Sequence, residues 1–302
     1  MYQDFFQLNA LPFSLTPNPN FFCQLKGHQE ALNILQFCIK SGEGFIKIVG
    51  EVGSGKTLLC RKVLNSLSEE YLSAYIPNPD LTPIELRKAF ARELRLDPTE
   101  SHDQHELLSA INQQLITLHS AGKKVVLIVD EAQALSDECL ETVRLLTNLE
   151  TENAKLLQVV LFGQPELDER LNKPHLRQLK QRISFSYTLP LMSREDLDVY
   201  LMHRLAVAGH THSNLFTKKA RTLLFNASQG IPRIVNILSH KALLVAYGRG
   251  NKQIDHNTMQ LAVNDTDAAD KSKWIPLIKS GATLAALLGL AALAAYFLGD
   301  MI

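Results

Sequence analysis

Residues 50–57 read GEVGSGKT, which fits the pattern G-x-x-x-x-G-K-[ST]. The stretch lies between FIKIV (45–49), which is typical of a strand, and LLCRKVLNSL (58–67), which is typical of a helix. A strand, a glycine-rich loop and a helix in this order predict a phosphate-binding loop, because main-chain N–H groups can close on phosphates at the positive end of the helix. The residues predicted to bind a nucleotide are Gly50, Gly53, Ser54, Gly55, Lys56 and Thr57.

The last two residues of this motif carry its chemistry. Lys56 would bring a cation to the β and γ phosphate oxygens, and the Thr57 hydroxyl would ligate Mg²⁺. The alternative is a glycine-rich turn that only caps a helix, but such a turn does not require the Lys-Thr pair. We therefore expect a nucleotide and Mg²⁺ as ligands.

A pair of carboxylates follows a second buried segment. Lys123 and Lys124 lead into VVLIVDEAQ (125–133), whose β-branched run indicates a parallel strand that ends at Asp130 and Glu131. Consecutive strand residues point to opposite faces. Asp130 is therefore expected to address the Mg²⁺ shell, and Glu131 to orient or deprotonate an attacking water. A solvated acidic turn is the alternative, and the upstream phosphate loop disfavours it.

The composition limits the classes of protein to consider. The chain has 302 residues and is 46% hydrophobic, which is enough for about two domains with a core in each. Lys+Arg and Asp+Glu both number 31, so the net charge is zero and no nucleic acid is expected as a partner. The four cysteines include no C-x-x-C and indicate reduced, buried side chains rather than a disulfide frame or a metal site.

The pattern of elements divides the chain into five parts. Residues 1–27 are aromatic and proline-punctuated, which predicts an arm packed across a neighbour. Between 28 and 190, strand-like and helix-like segments alternate, which predicts a parallel sheet sandwiched by helices. Residues 191–265 contain helix signals only, including capping residues Ser193 and Thr217, and predict a small all-α lid. A polar linker, 266–279, follows.

The last part is a candidate membrane span. Residues 280–299, SGATLAALLGLAALAAYFLG, contain no charged residue over 20 positions, which is enough for a transmembrane helix. Lys271, Lys273 and Lys279 precede the span and Asp300 follows it, so the positive-inside rule predicts a single pass with the N-terminal ATPase domain in the cytoplasm. A buried helix of a soluble domain is the alternative.

Six motifs, the phosphate loop among them, follow one another along the chain in an order that is typical of one protein family. The motifs are GEVGSGKT, VVLIVDEAQ, RLLTNLET, VVLFGQPEL, LRQLKQRI and GIPRIVNIL. Together they resemble the AAA+ ATPases of the general secretion pathway A (ExeA) type, and within that family the opening MYQDFFQLNALPFSLTPNPNFF resembles the MSHA-pilus biogenesis type. The resemblance implies a P-loop NTPase (AAA+) fold, ATP as the substrate, and a homo-oligomer, either a ring or a dimer.

The resemblance also implies roles for four residues. Gln164 stands where such ATPases keep a polar sensor for the attacking water, although many carry Asn or Thr there, and it could instead be a turn residue before Pro165. Arg177 or Arg182, with Arg182 preferred, would be the arginine finger that reaches a neighbour's γ-phosphate, unless both are solvated helix charges. Arg233 would sense the γ-phosphate in cis, the alternative being a surface ion pair.

The leading hypothesis is a membrane-anchored AAA+ ATPase of the bacterial inner membrane. It would hydrolyse ATP to support assembly of a type IV (MSHA-like) pilus or a type II secretion system, with inner-membrane components of those machines as partners. One alternative is an ATP-dependent scaffold with little turnover. Another is a DNA-associated, transposition-type AAA+ protein, which the neutral charge and the hydrophobic tail disfavour.

Overall fold

A computed structural model describes residues 2–16, 18–97, 104–150, 155–210 and 214–269. The predicted transmembrane helix, 280–299, lies outside the described residues, as does most of the predicted linker, 266–279. Within the described ranges, no helix combines the length and the apolar content that crossing a bilayer requires.

A parallel sheet forms the centre of the first domain. In the described part of the chain it has five strands in the order β2-β3-β4-β1-β5, and every neighbouring pair is parallel. The strands are β1 (Phe45–Val49), β2 (Tyr71–Ile76), β3 (Lys124–Val129), β4 (Leu157–Gly163) and β5 (Phe185–Thr188). The central strands are nearly all apolar because helices cover both of their faces. The predicted parallel sheet is thus confirmed.

The helices of this part of the chain pack on the two faces of the sheet. They are α2 (Lys26–Lys40), α3 (Lys56–Ser66), α4 (Pro83–Glu93), α5 (Gln104–Ser120), α6 (Asp137–Leu146), α7 (Pro165–Leu171) and α8 (Arg177–Arg182). Strand β3 illustrates the two layers. Ile128 belongs to a core that includes Leu35 of α2 and Leu59 of α3, whereas its neighbour Leu127 belongs to a core that includes Phe90 of α4.

The all-helical lid follows the sheet. It contains α9 (Arg194–Val207), α10 (Lys218–Ser228), α11 (Pro232–Gly248) and α12 (His256–Asn264). The predicted caps are present, because Ser193 forms a capping box with Asp196 and the Thr217 side chain accepts a hydrogen bond from the N–H of Ala220. Helix α12, which begins after Asp255, was not predicted from the sequence.

The N-terminal arm packs on the lid of its own chain. A short helix, α1 (Tyr2–Phe5), opens the arm, and Phe6 and Phe13 are buried in the same core as lid residue Leu238. The Tyr2 hydroxyl lies 2.8 Å from Nδ1 of His240 on α11. The neighbour of the arm is therefore the helical domain.

Local signals set the ends of two helices in this domain. Helix α6 ends at Leu146, where the Thr147 hydroxyl donates back to the carbonyl oxygen of Arg144 at 2.7 Å and closes the last turn. Helix α7, Pro165–Leu171, was also not predicted, although Pro165 at its first position is a typical start signal. All four cysteines are free and buried, as expected.

Candidate nucleotide-binding site

The phosphate loop joins β1 to α3. Gly53 and Gly55 have φ angles of +79° and +100°, which residues other than glycine rarely adopt. A Cβ on Gly53 would lie 2.4 Å from Cβ of Arg233, and one on Gly55 would lie 2.9 Å from Nε2 of His28. Both glycines are therefore required by the backbone angle and by close neighbours. The loop is an open cradle of main-chain groups, and this geometry fits phosphate.

Gly50 and Ser54 form the back of the loop. The Gly50 N–H donates to the carbonyl oxygen of Gly163 at 3.1 Å, which ties the loop to the end of β4. Ser54 is 1% exposed, and its carbonyl oxygen accepts a hydrogen bond from Nε2 of His28 at 2.9 Å. The other predicted loop residues, Gly53, Gly55, Lys56 and Thr57, line the cleft itself.

Lys56 is a buried cation at the start of α3. Its Nζ donates to the carbonyl oxygens of Gly50 at 2.7 Å and Glu51 at 2.9 Å. Burial lowers the pKa of Lys56, while the nearby carboxylates of Glu131 and Asp130 raise it. An ammonium group held only by main-chain carbonyls is able to exchange those partners for phosphate oxygens.

Asp130 lies next to Thr57. The carboxyl group is 2% exposed, and burial raises its pKa, whereas hydrogen bonds from the Thr57 side chain and the Glu131 main chain lower it. A hydroxyl beside a carboxylate is an oxygen donor set that suits Mg²⁺ bound together with phosphates. Within the described ranges, no group of three or more His, Cys, Asp or Glu residues could hold a metal ion by itself.

Glu131 follows the strand in a conformation that sequence reasoning did not anticipate. Its φ and ψ angles are 52° and 38°, in the left-handed region, so the strand alternation invoked for this residue does not apply. Its Oε2 accepts hydrogen bonds from Nε2 of Gln164 at 3.0 Å and from Nε2 of Gln133 at 2.5 Å. The structure thus brings together Glu131 and Gln164, two of the predicted site residues, and it adds Gln133.

Lid residue Arg233 reaches the same cleft. Its main-chain N–H donates to the carbonyl oxygen of Gly53 at 3.2 Å, and its side chain lines the cleft beside the phosphate loop. Pro232 occupies the first turn of α11, where a missing N–H carries no penalty, and it fixes the start of the helix at this point.

The rest of the cleft wall was not identified from the sequence. Phe21 and Phe22 of the arm line it, together with Tyr200 and Asn236 of the lid. The Tyr200 hydroxyl donates to Oδ1 of Asn236 at 3.0 Å, and both residues are buried. The aromatic residues near position 20 were visible in the sequence, but only the tertiary fold places them opposite the phosphate loop.

Comparison with known proteins places this geometry in a family. A sequence profile described as "AAA domain" matches residues 39–171. General secretion pathway protein A of Aeromonas hydrophila is 43% identical over 275 residues, which is 91% of this chain and 50% of that protein. The chain carries an AAA domain and is similar to the AAA+ ATPases of the general secretion pathway A type. It spans half the length of that curated relative. The narrower MSHA-pilus type stays a prediction.

Solved AAA+ structures show the same fold at low identity. The ORC2 protein of Aeropyrum pernix, solved as ADPNP-ADP complexes, is 18% identical, with a TM-score of 0.60 over 86% of this chain and 72% of that chain. Drosophila ORC bound to DNA is 20% identical, with a TM-score of 0.61 over 87% of this chain and 64% of that chain. At these identities the likeness shows the fold alone.

In this AAA+ chain, the two candidate finger residues lie apart from the cleft. Arg177 begins α8 and Arg182 ends it, and both are exposed. Nη1 of Arg182 donates to Oγ1 of Thr147 at 3.1 Å, whereas the Arg177 side chain makes no hydrogen bond or ion pair with the described residues. Neither arginine lines the nucleotide cleft of its own chain.

Proposed function

We propose that this protein binds ATP with Mg²⁺ in the cleft and hydrolyses it to ADP and phosphate. The observation that carries the proposal is the convergence of Lys56, Glu131 and Gln164 on one cleft that the phosphate loop and the lid enclose. A loop that only capped a helix would not be expected to place a buried cation, a carboxylate and a glutamine amide around the same space.

Each residue has a distinct role in the proposed reaction. Lys56 binds the β and γ phosphate oxygens, and Glu131 accepts a proton from the water that attacks the γ-phosphorus. Gln164 holds the carboxylate and the water in position. Thr57 and Asp130 would hold Mg²⁺, which would offset the charge of the phosphates. Arg233, at the start of lid helix α11, contacts the γ-phosphate.

A second copy completes the proposed site. Because Arg177 and Arg182 are exposed and point to no group of their own cleft, the guanidinium that stabilises the transferring phosphoryl group would come from an adjacent subunit. Turnover then depends on oligomer formation, as the family resemblance implies.

The cellular role that we propose is support of secretion or pilus assembly at the bacterial inner membrane. The support is the 43% identity to a protein named for the general secretion pathway, together with the apolar segment 280–299 in the sequence. In this proposal the lid moves relative to the sheet upon hydrolysis and passes the motion to an inner-membrane partner.

The full chain in lipid vesicles tests the reaction. Glu131→Gln should bind ATP with wild-type affinity and release phosphate at least about 100-fold more slowly, because it lacks the proton acceptor. Lys56→Ala should lose ATP binding and serves as the binding-defective control. Wild-type phosphate release by Glu131→Gln would contradict the catalytic assignment. Tight ATP binding without turnover in the wild type would support the scaffold instead.

A further inference from the structure

We propose that Gln133 is a positioning residue for ATP hydrolysis, which holds the Glu131 carboxylate and the Gln164 main chain in one amide clamp. This inference rests on the proposed function. The clamp is defined by Glu131, Gln133 and Gln164, and it joins the ends of two neighbouring strands. Gln133 lies in the helical turn Ala132–Ala134 after β3, and Gln164 directly follows β4.

The hydrogen bonds fix which end of the Gln133 amide faces the carboxylate. Its Oε1 accepts from the main-chain N–H of Gln164 at 3.0 Å, and a main-chain N–H is only a donor. The NH₂ end must therefore point the other way, where it donates to Oε2 of Glu131 at 2.5 Å. An ionised carboxylate only accepts, so this assignment agrees with the partner on both sides.

The clamp gives the two carboxylate oxygens of Glu131 different roles. Oε2 of Glu131 receives the NH₂ groups of both Gln133 and Gln164, whereas Oε1 makes no hydrogen bond with the residues that the structure describes. Glu131 lines the cleft, so one oxygen is immobilised and the other is available to a water molecule. An isolated glutamate at the end of a strand would rotate freely and would seldom present the oxygen in this way.

The main-chain conformation of Glu131 explains why its side chain needs a further residue to hold it. The left-handed conformation of Glu131 turns its side chain away from the strand pattern, and that side chain makes no capping hydrogen bond to the turn that follows it. Residues in such conformations persist where surrounding contacts hold them. Gln133, two residues later, supplies the nearest such contact, and the Glu131 carbonyl accepts the N–H of Ala134 at 2.9 Å.

Several charged groups surround the clamp, and they determine how a carboxylate introduced at position 133 would affect Glu131. Lys56 and Asp130 interact electrostatically with Glu131, and Glu51 and Glu166 lie within reach of Lys56. The proposed test is Gln133→Glu, which has nearly the same shape and places a second carboxylate against Glu131. Two adjacent carboxylates repel each other, so this change removes one hydrogen bond to Glu131 and displaces its carboxylate.

The experiment compares full-length wild type, Gln133→Glu, Gln133→Ala and Gln113→Glu in vesicles. Gln113 is exposed on α5, so its variant adds the same charge away from the cleft. For Gln133→Glu, we expect kcat at pH 7 to fall at least tenfold while ATP affinity stays within about threefold. Gln133→Ala should lower kcat by a smaller factor, because it removes the hydrogen bond without adding a repelling charge, and it should also leave ATP affinity unchanged.

The outcomes separate this inference from the proposed function. If Glu131→Gln is inactive but Gln133→Glu has the wild-type kcat, the positioning role of Gln133 is wrong and the ATPase proposal stands. If the Gln133 variants lose kcat, ATP affinity and melting temperature together, the role of Gln133 is purely structural and the inference is also overturned. A wild type that does not hydrolyse ATP overturns both proposals.

Discussion

The main-chain N–H of Arg233 donates a hydrogen bond to the carbonyl oxygen of Gly53, with 3.2 Å between nitrogen and oxygen. The first turn of α11 therefore rests directly on the phosphate loop. A side chain at position 53 would push against Cβ of Arg233 at 2.4 Å, so the lid contact and the loop geometry depend on the same glycine. We therefore expect phosphate binding and the position of the lid to be coupled at this contact.

Gly53→Ala tests this coupling. We expect ATP affinity to fall at least tenfold, because the new methyl group opposes the +79° φ angle and displaces the start of α11. Gly122→Ala is the matched control, since Gly122 has a φ angle of +75° and no atom within 4 Å of the added Cβ. Fluorescent nucleotide titration measures the difference. Equal affinity in the two variants would show that the Arg233 contact is unimportant.

The candidate finger residues can be distinguished by mixing variants. Arg182→Ala and Arg177→Ala should each bind ATP normally, and the variant that removes the finger should lose at least about 100-fold in kcat. Adding Lys56→Ala protein, which has an intact finger but an empty site, should restore part of the activity if the residue acts on a neighbour. Failure of the mixture to recover would indicate that the arginine acts within its own chain.

Sequence and structure agree best where local chemistry decides the outcome. The phosphate loop could be predicted because glycines, a lysine and a threonine at fixed spacing have few other uses, and the capping box at Ser193 is a local signal of the same kind. The sequence could not reveal Gln133 as part of the site. Its amide reaches Gln164 only because β3 and β4 lie side by side.

The contribution of the arm was hidden for a similar reason. Phe21 and Phe22 are apolar residues in a proline-rich segment, and nothing in their spacing indicates that they face a nucleotide cleft. Their position depends on long-range contacts, such as those between the arm and Arg204 on α9. The left-handed conformation of Glu131 was equally unpredictable, since glutamate has no preference for it.

His28 should make stability depend on pH. Burial lowers its pKa, and its hydrogen bond to the Ser54 carbonyl offsets part of that effect. The unfolded chain therefore binds the proton first as pH falls. Stability from neutral His28 is complete above about pH 6.5 and is lost below it, by at most about 1.4 kcal/mol per pH unit.

The variant His28→Gln should show a shallower loss of stability between pH 6.5 and pH 5, because the glutamine amide still donates but does not titrate. Urea unfolding at each pH measures the slope. His203 and His240 also have pKa values lowered by burial, and they remain in both proteins, so the difference isolates His28. Parallel slopes would contradict the prediction.

Arg204 is the buried anchor of the arm. Its Nε donates to the carbonyl oxygen of Pro12 at 2.5 Å, its Nη2 donates to that of Ser14 at 3.2 Å, and its guanidinium lies 4.7 Å from the ring centre of Phe21. Arg204→Met keeps most of the stem but leaves both carbonyls without these donors, so we expect a loss of about 2–4 kcal/mol in unfolding free energy. Exposed Arg194→Met should cost under about 1 kcal/mol. Similar losses in both variants would rule out an anchoring role.

The position of the arm on the lid has a practical consequence for work with this protein. Tyr2 is 3% exposed, so an affinity tag fused directly to the amino terminus would have to displace α1 or thread past it. A shortened clone that starts at the first strand would lack one wall of the nucleotide cleft and would uncover the apolar side of the lid. Poor solubility or weak nucleotide binding in such a clone would then result from the truncation itself and not from a property of the whole protein.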